Sequence, residues 1–276
     1  FSITLKLLLL ILPLVCIPIA IVGYLSIQAS VERVNRLVRH EEMIKVKTTA
    51  NKINDIFYYC RLDLETISRL PVLEDYHIAR SFRLEEEAEF IYENIVQLFK
   101  DFIGRAPYYH QIRYLDREGK ELVKVEKDGA VTECKDCGSE RYFQAASQLK
   151  PEGIYISDIL HSPSWDGYVI YWAKPIYSGW NEFSGVVVID LDYDRIIESV
   201  KRIRVGEQGY AFLIDHQGRS IAHPQYAPYT FRLEDNPTSS LQDLIDKMVE
   251  GGSAWDEYSF QGEKKMAAFA PIPSLG

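Results

Sequence analysis

Several features are missing from this 276-residue sequence, and each absence argues against a class of protein. It has only four cysteines and no Cys-x-x-Cys-His motif for covalent haem. Its single Cys-x-x-Cys pair lacks the second pair of ligands that a zinc site needs. No phosphate-binding glycine loop, Gly-x-Ser-x-Gly or His-Glu-x-x-His motif occurs, so we predict neither an enzyme nor a cofactor. The net charge of −9 argues against nucleic-acid binding.

A long hydrophobic run occurs once, at the N-terminus. Lys6 is the only charged residue between Leu5 and Ile27. About 20 apolar residues in a helix span the roughly 30 Å core of a bilayer, so we predict a transmembrane helix over residues 1–28. The alternative is a cleaved signal peptide, whose apolar core is shorter and ends at a small-residue cleavage site.

The flanking charges leave the orientation in the membrane open. Arg33, Arg36 and Arg39 follow the span while only Lys6 precedes it, which on the positive-inside rule places the large domain in the cytoplasm. Large domains nevertheless cross membranes whatever charges flank them. Because the sequence lacks an initiator methionine, we interpret it as a piece of a longer protein.

Two apolar seams with helical spacing follow the predicted span. Their members recur every three or four residues: Ile27, Val31, Val34 and Val38 in the first seam, and Val46, Ala50, Ile53, Phe57, Cys60, Leu64 and Ile67 in the second. This heptad spacing keeps one helix face toward a partner, and the phase slips near residues 39–42. We predict that the first seam forms a homodimer contact and that the second packs within its own domain.

A second amphipathic helix is predicted from Leu84 to Phe102. The glutamates in its first turns suit the positive end of the helix dipole, and we interpret them as a solvated helix start. Pro71 is expected to end the long helix before it. Together the two helices occupy residues 29–100.

An internal repeat marks the rest of the chain. Ile112-Arg-Tyr-Leu-Asp116-Arg-Glu-Gly119-Lys-Glu-Leu122 is echoed 99 residues later by Ala211-Phe-Leu-Ile-Asp215-His-Gln-Gly218-Arg-Ser-Ile221. Each copy predicts a β-hairpin in which Asp bonds its own backbone and Gly adopts a positive φ. This period suits two small domains of one type. We predict an α+β fold with two tandem units, each an antiparallel sheet with a helix, over residues 101–204 and 205–276.

The order and spacing of these features resemble a known family. The relevant motifs are Tyr142-Phe143-Gln144-Ala145-Ala146, Ala173-Lys174-Pro175-Ile176-Tyr177 and Gly185-Val-Val-Val-Ile-Asp190-Leu. Over residues 30–276 the sequence resembles the double Cache (dCache, PAS-like) sensor domain of bacterial transmembrane receptors such as sensor histidine kinases and chemoreceptors. The resemblance implies a domain outside the cytoplasm, anchored in the inner (plasma) membrane. Residues 101–204 would be the membrane-distal Cache unit and residues 205–276 a truncated membrane-proximal one.

The resemblance also implies a function. The membrane-distal unit would bind a small molecule, an amine or an organic acid, and signal to an output module. We expect a two-component histidine kinase, with a chemoreceptor or diguanylate cyclase as alternatives. A membrane-anchored interaction or scaffold domain without a small ligand is the competing class, and a tethered hydrolase is a remote third.

Candidate ligand contacts follow from the same resemblance. Amino-acid-binding members carry Arg-x-Trp-Tyr before the sheet and an Asp on a later strand. Here Asp190 matches the Asp, but Glu140 stands where the Arg would, which puts α-amino acids in doubt because a carboxylate needs a fixed cation. An acidic pair with aromatic rings would suit an amine. The predicted contacts are Asp190, Tyr142, Phe143, Arg141, Tyr155, Asp158 and Lys174.

Simpler roles remain open for these residues. Asp190 ends an apolar strand and would also suit the cap of a following helix. Tyr142 and Phe143 would also suit a hydrophobic core. Tyr171 and Lys174 lie three apart on one predicted strand, so at most one of them reaches a given pocket. Cys134 and Cys137 are expected to form a local disulfide outside the cytoplasm, with redox sensing as a minor alternative.

Overall fold

One continuous helix, α1 (Ile3–Ser68), contains both apolar seams. In the first seam, Val31 and Val34 are 54% and 57% exposed, whereas in the second, Phe57 and Leu64 are 1% and 0% exposed. The phase slip therefore separates an exposed seam from a buried one without breaking the helix.

The structure is a computed structural model that describes residues 3–129, 135–206, 209–230, 239–260 and 262–275. Among these residues, α1 is the one helix long and apolar enough to cross a membrane.

Two further helices pack against the second seam. Helix α2 (Pro71–Ser81) begins at Pro71, because proline is tolerated in the first turn of a helix. Proline thus starts a helix that the sequence analysis did not predict. Helix α3 (Glu85–Arg105) matches the second predicted helix, and its buried side chains Ile95 and Phe99 join the same hydrophobic core as α1.

The central sheet is antiparallel and six-stranded. Its strand order is β2-β1-β6-β5-β3, and β4 also pairs with β5. The strands are β1 (Tyr109–Leu115), β2 (Glu121–Glu126), β3 (Tyr155–Ile156), β4 (Leu160–His161), β5 (Tyr168–Tyr177) and β6 (Phe183–Asp192). Helix α4 (Arg141–Ser147) follows β2, and helix α5 (Asp194–Lys201) follows β6.

Helices cover both faces of this sheet. Alternate residues of a strand point to opposite faces. On β6, Val187 and Ile189 pack in the core that contains α1 and α3. Val186 and Val188 pack on the other face with side chains of α4. The two central strands therefore bury side chains on both faces, which explains the continuous apolar run Val186–Ile189.

The remaining strands form separate antiparallel pairs. These pairs are β7 (Arg204–Val205) with β8 (Gly209–Tyr210), β9 (Leu213–Ile214) with β10 (Ser220–Ala222), and β11 (Ala254–Phe260) with β12 (Glu263–Phe269). Helix α6 (Ser239–Val249) and a 3-10 turn (Pro273–Leu275) complete the described elements. The α+β class with antiparallel sheets and a long N-terminal helix is confirmed, whereas the second tandem unit remains a prediction.

The chain divides into two compact units. One comprises residues 1–48 and 238–271, and in it the guanidinium of Arg39 lies 3.5 Å from the Trp255 ring centroid. The other comprises residues 49–237 and 272–276 and contains the six-stranded sheet. The predicted four-segment division at residues 28, 100 and 204 remains a prediction.

Candidate functional site

A cluster of charged side chains is buried on the face of the sheet that α4 covers. Arg113 on β1, Glu121 at the start of β2 and Asp190 on β6 have side-chain exposures of 6%, 2% and 1%. Strand β1 pairs with both β2 and β6, and Gln111 lies opposite Asp190. The pairing thus brings together residues that lie almost 80 positions apart in the sequence.

Arg113 is the centre of this cluster, which we call the Arg113 cluster: Gln111, Arg113, Glu121, Tyr142 and Asp190. Arg113 Nη2 donates to Asp190 Oδ1 at 2.6 Å. Arg113 Nη1 donates to Glu121 Oε1 at 3.2 Å and to the Tyr142 hydroxyl at 2.7 Å. Gln111 Nε2 donates to Asp190 Oδ2. Each contact with a carboxylate is charge-assisted, which makes it stronger than a neutral hydrogen bond.

Aromatic rings enclose the guanidinium group. Its central carbon lies 4.7 Å from the Tyr142 ring centroid and 5.7 Å from that of Tyr171 on β5. The two ring centroids are 4.8 Å apart. Aromatic faces attract cations, and the attraction grows when water is excluded. This part of the sheet is therefore built to hold positive charge.

The pKa directions of the cluster follow from burial and from the contact between Arg113 and Asp190. Burial raises the pKa of Asp190, and the nearby Arg113 offsets this rise only in part. Burial lowers the pKa of Arg113, but the surrounding negative groups outweigh burial and hold that pKa above its ordinary value. The cation is thus held firmly, while Asp190 keeps a proton more readily than an exposed carboxyl does.

Four predicted contacts lie at or beside this cluster. Asp190 and Tyr142 belong to it, and Phe143 and Tyr155 pack in the hydrophobic cluster around it. Asp190 does not cap the following helix: α5 begins at Asp194 and has no side-chain cap bond. The ligand roles of these four residues remain predictions.

Three other predicted contacts lie elsewhere. Arg141 is exposed on α4. Asp158 is exposed and lies 3.9 Å from Arg219, beyond β3. Lys174 faces away from Tyr171, as their spacing requires, and donates to the carbonyl of Pro151 at 2.5 Å. The cation that contacts Asp190 is Arg113, which is not among the predicted contacts.

Arg113, Gln111 and Glu121 were not identified from the sequence. A signal was present, because Gln111 and Arg113 alternate with Ile112 and Tyr114 in a predicted strand. Polar residues inside such a strand are costly unless partners meet them. The alternation predicts that Gln111 and Arg113 lie on one face of their strand, but it does not predict which strands pair with that strand.

Cys137 borders the cluster. Its Sγ lies 3.5 Å from Glu121 Oε1, and burial raises the pKa of its thiol. Cys137 is a free cysteine, and Cys134, its partner in the predicted disulfide, lies outside the described residues. A redox role for this pair also remains a prediction.

The fold and this cluster define a helix-flanked α+β domain with a polar site under α4. A model of the Cache domain family matches residues 26–276 of the chain. The chain therefore belongs to the Cache domain family, and the predicted family is confirmed.

Individual relatives are methyl-accepting chemotaxis proteins. The methyl-accepting chemotaxis protein TlpB of Bacillus subtilis is 27% identical over 156 residues, which cover 56% of this chain and 22% of TlpB. The chain thus spans less than a quarter of the length of that relative.

Solved structures share the fold. A domain of a sensory box/GGDEF family protein from Vibrio parahaemolyticus gives a TM-score of 0.65 at 19% identity, covering 87% of this chain and 92% of that one. The sensory domain of the Campylobacter jejuni chemoreceptor Tlp3 with isoleucine bound gives a TM-score of 0.61 at 17% identity, covering 88% of this chain and 91% of that one. At these identities the likeness concerns the fold alone.

Proposed function

We propose that this chain is the extracytoplasmic small-molecule sensor domain of a membrane receptor, with the ligand bound at the Arg113 cluster. The Arg113 cluster carries this proposal. A sheet that needed only a hydrophobic core would not bury three charged side chains under aromatic rings, because each charge costs desolvation free energy. Buried titratable groups with shifted pKa values are candidates for binding sites. The Tlp3 domain, which has the same fold, was solved with isoleucine bound.

A ligand screen by thermal unfolding tests the sensor function. The purified chain is heated with amines, amino acids, organic acids and neutral polar compounds. A ligand at 100 times its Kd stabilises the folded state by about 2.7 kcal/mol and raises the Tm. The shift is expected to disappear in Asp190→Asn and to persist in the matched control Asp101→Asn, which alters an exposed residue of α3. If no compound raises the Tm, the scaffold alternative is favoured.

We also propose a chemoreceptor output, in place of the histidine kinase expected from the sequence. The support is that TlpB is a methyl-accepting chemotaxis protein. Sequencing of the gene beyond the codon for Gly276 tests this proposal. A second span followed by a methyl-accepting module would support it, and a kinase core would favour the original expectation.

The receptor is further proposed to be a homodimer that pairs through the first seam of α1. Its exposed members Val31, Val34 and Val38 follow the predicted membrane span at heptad spacing. Val34→Cys in membranes containing the full chain should therefore cross-link two chains under mild oxidation. Glu32→Cys, on another face of the same helix, is the control. Stronger cross-linking from Glu32→Cys would show that another face of α1 forms the contact.

A further inference from the structure

The Arg113 cluster carries one more negative charge than positive charge when its acids are ionised. Arg113 supplies one positive charge, and Glu121 and Asp190 supply two negative charges. Lys124, opposite Arg113 on β2, leaves this balance unchanged because its Nζ lies 3.0 Å from Glu126 Oε1. An uncompensated buried charge is strongly unfavourable. The site therefore favours an occupant with a single net positive charge.

Two polar atoms of the cluster add a hydrogen-bonding requirement. Within the described residues, Gln111 Oε1 and Arg113 Nε are buried without a hydrogen-bond partner. Their residues are only 3% and 5% exposed. The first atom is an acceptor on the side chain that also contacts Asp190, and the second is a donor of the guanidinium group. A buried polar atom without a partner costs about 1–3 kcal/mol, so an occupant with a matching donor and acceptor removes that cost.

Within the described residues, the buried cation closest to Arg113 in the sheet is Lys124, and it is not free to meet a ligand carboxylate because it is paired with Glu126 at 3.0 Å. Glu140 stands at the position where the resemblance expects an arginine, and Arg141 is exposed. The guanidinium of Arg113 is already shared between Glu121 and Asp190. A carboxylate brought by the ligand would therefore restore the excess negative charge that its ammonium group removes.

We infer, building on the proposed sensor function, that the ligand is a monocationic amine with an uncharged oxygen acceptor near its ammonium group. Amino alcohols and amino amides belong to this class. The ammonium group donates to Asp190 and to Gln111 Oε1, and the neutral oxygen accepts from Arg113 Nε. The rings of Tyr142 and Tyr171 shield the added charge. A zwitterionic α-amino acid with the same side chain binds more weakly.

Matched pairs of probes test this inference. L-alanine, L-valine, L-leucine and L-phenylalanine are each compared with the corresponding amino alcohol by calorimetric titration of the full chain. We expect the amino alcohols that bind most tightly to have a Kd about tenfold lower than that of the corresponding amino acids, a difference of about 1.4 kcal/mol. Glu121→Gln removes the excess charge and should reduce or reverse this preference. Glu118→Gln removes an exposed charge from the neighbouring turn and should preserve it.

The outcomes separate this inference from the sensor function itself. An amino acid that binds wild-type protein as tightly as its alcohol, or more tightly, overturns the inference. So does an unchanged preference in a folded Glu121→Gln variant. If that variant does not fold, the wild-type comparison decides. If only anionic or neutral compounds bind, in an Asp190-dependent way, the ligand class is wrong while the sensor function stands. If no compound of any class binds, the sensor function fails as well.

Discussion

The two Asp-x-x-Gly hairpins form the same turn in different surroundings. In the first, Asp116 Oδ1 accepts from the backbone N–H groups of Glu118 at 3.1 Å and Lys120 at 2.8 Å. In the second, Asp215 Oδ1 accepts from Gln217 at 2.9 Å and Arg219 at 2.8 Å. The repeated sequence thus gives a repeated turn geometry. A turn of this kind is decided by a few neighbouring residues.

The residues that precede the two turns differ in chemistry. Counting from the turns, Gln111 and Arg113 on β1 correspond to Tyr210, at the end of β8, and to Phe212, which directly precedes β9. These two rings lie near His223, whose ring centroid is 5.0 Å from that of Tyr210. Charged groups line one copy and aromatic rings the other. The comparison teaches that the repeat predicts a turn, whereas the residues around it decide whether a charged site forms.

The largest expected effect comes from removing Asp190, which lies on β6 and contacts Gln111 and Arg113 of the first hairpin. Asp190→Ala leaves Gln111 Nε2 and Arg113 Nη2 without their acceptors and should lower the free energy of unfolding by about 2–3 kcal/mol. Ligand binding should be lost as well. Denaturant unfolding and calorimetry on the same variant measure both effects. The cost arises mainly from Arg113, a partner of Asp190 that the sequence did not reveal. A stable variant with unchanged binding would remove Asp190 from the site.

Asp190→Asn sharpens that test through its dependence on pH. Burial raises the pKa of Asp190 in the folded state. The stabilising contribution of such a carboxyl is complete below its unfolded pKa and is lost as pH rises through the folded value. Between about pH 4 and neutrality, wild-type protein should therefore lose stability relative to Asp190→Asn. A relative gain over this range would mean that pairing with Arg113 outweighs burial.

The next effect distinguishes the two turn glycines. Gly119 and Gly218 both have positive φ angles, of 89° and 74°. A Cβ atom at residue 119 would also lie 2.5 Å from the Cα atom of Gly138, so a backbone would have to move. Gly218→Ala should cost about 1 kcal/mol from its φ angle, and Gly119→Ala about 2–3 kcal/mol because overlap is added. Thermal unfolding of the two variants measures the difference, and equal costs would show that the loop around Gly138 yields freely.

Local sequence patterns predicted much of the fold. Both predicted hairpins are present, as β1 with β2 and as β9 with β10, because turn residues between apolar runs define a hairpin well. Helix α2 was missed because Pro71 was interpreted only as a helix end, although proline also suits a first turn.

The site was only half predictable. The resemblance led to Asp190 and Tyr142, but Arg113 and Glu121 belong to the cluster only because β1 pairs with β2 and β6. Pairing between distant strands is set by the packing of the whole sheet. A single sequence gives the face on which Arg113 lies but not the carboxylates opposite it.

The smallest expected effect compares the two turn aspartates. Asp116→Ala and Asp215→Ala each remove an acceptor of two backbone N–H groups, and each should cost about 1 kcal/mol. Asp215 also accepts from Arg219 Nε at 2.6 Å, but the Arg219 side chain is 40% exposed, so this pair should add no more than about 0.5 kcal/mol.

Denaturant unfolding of both aspartate variants, at low and at high salt, separates these contributions. Salt screens an exposed ion pair but not a bond to backbone, so the excess cost of Asp215→Ala should shrink at high salt while the shared cost remains. Arg219→Gln is the control, because it removes the ion pair and leaves the turn bonds in place. If the two costs differ by more than about 1 kcal/mol at high salt, the turns are not energetically equivalent. The two turns would then share a geometry but differ in energy, and the strands beside each turn would contribute to its stability.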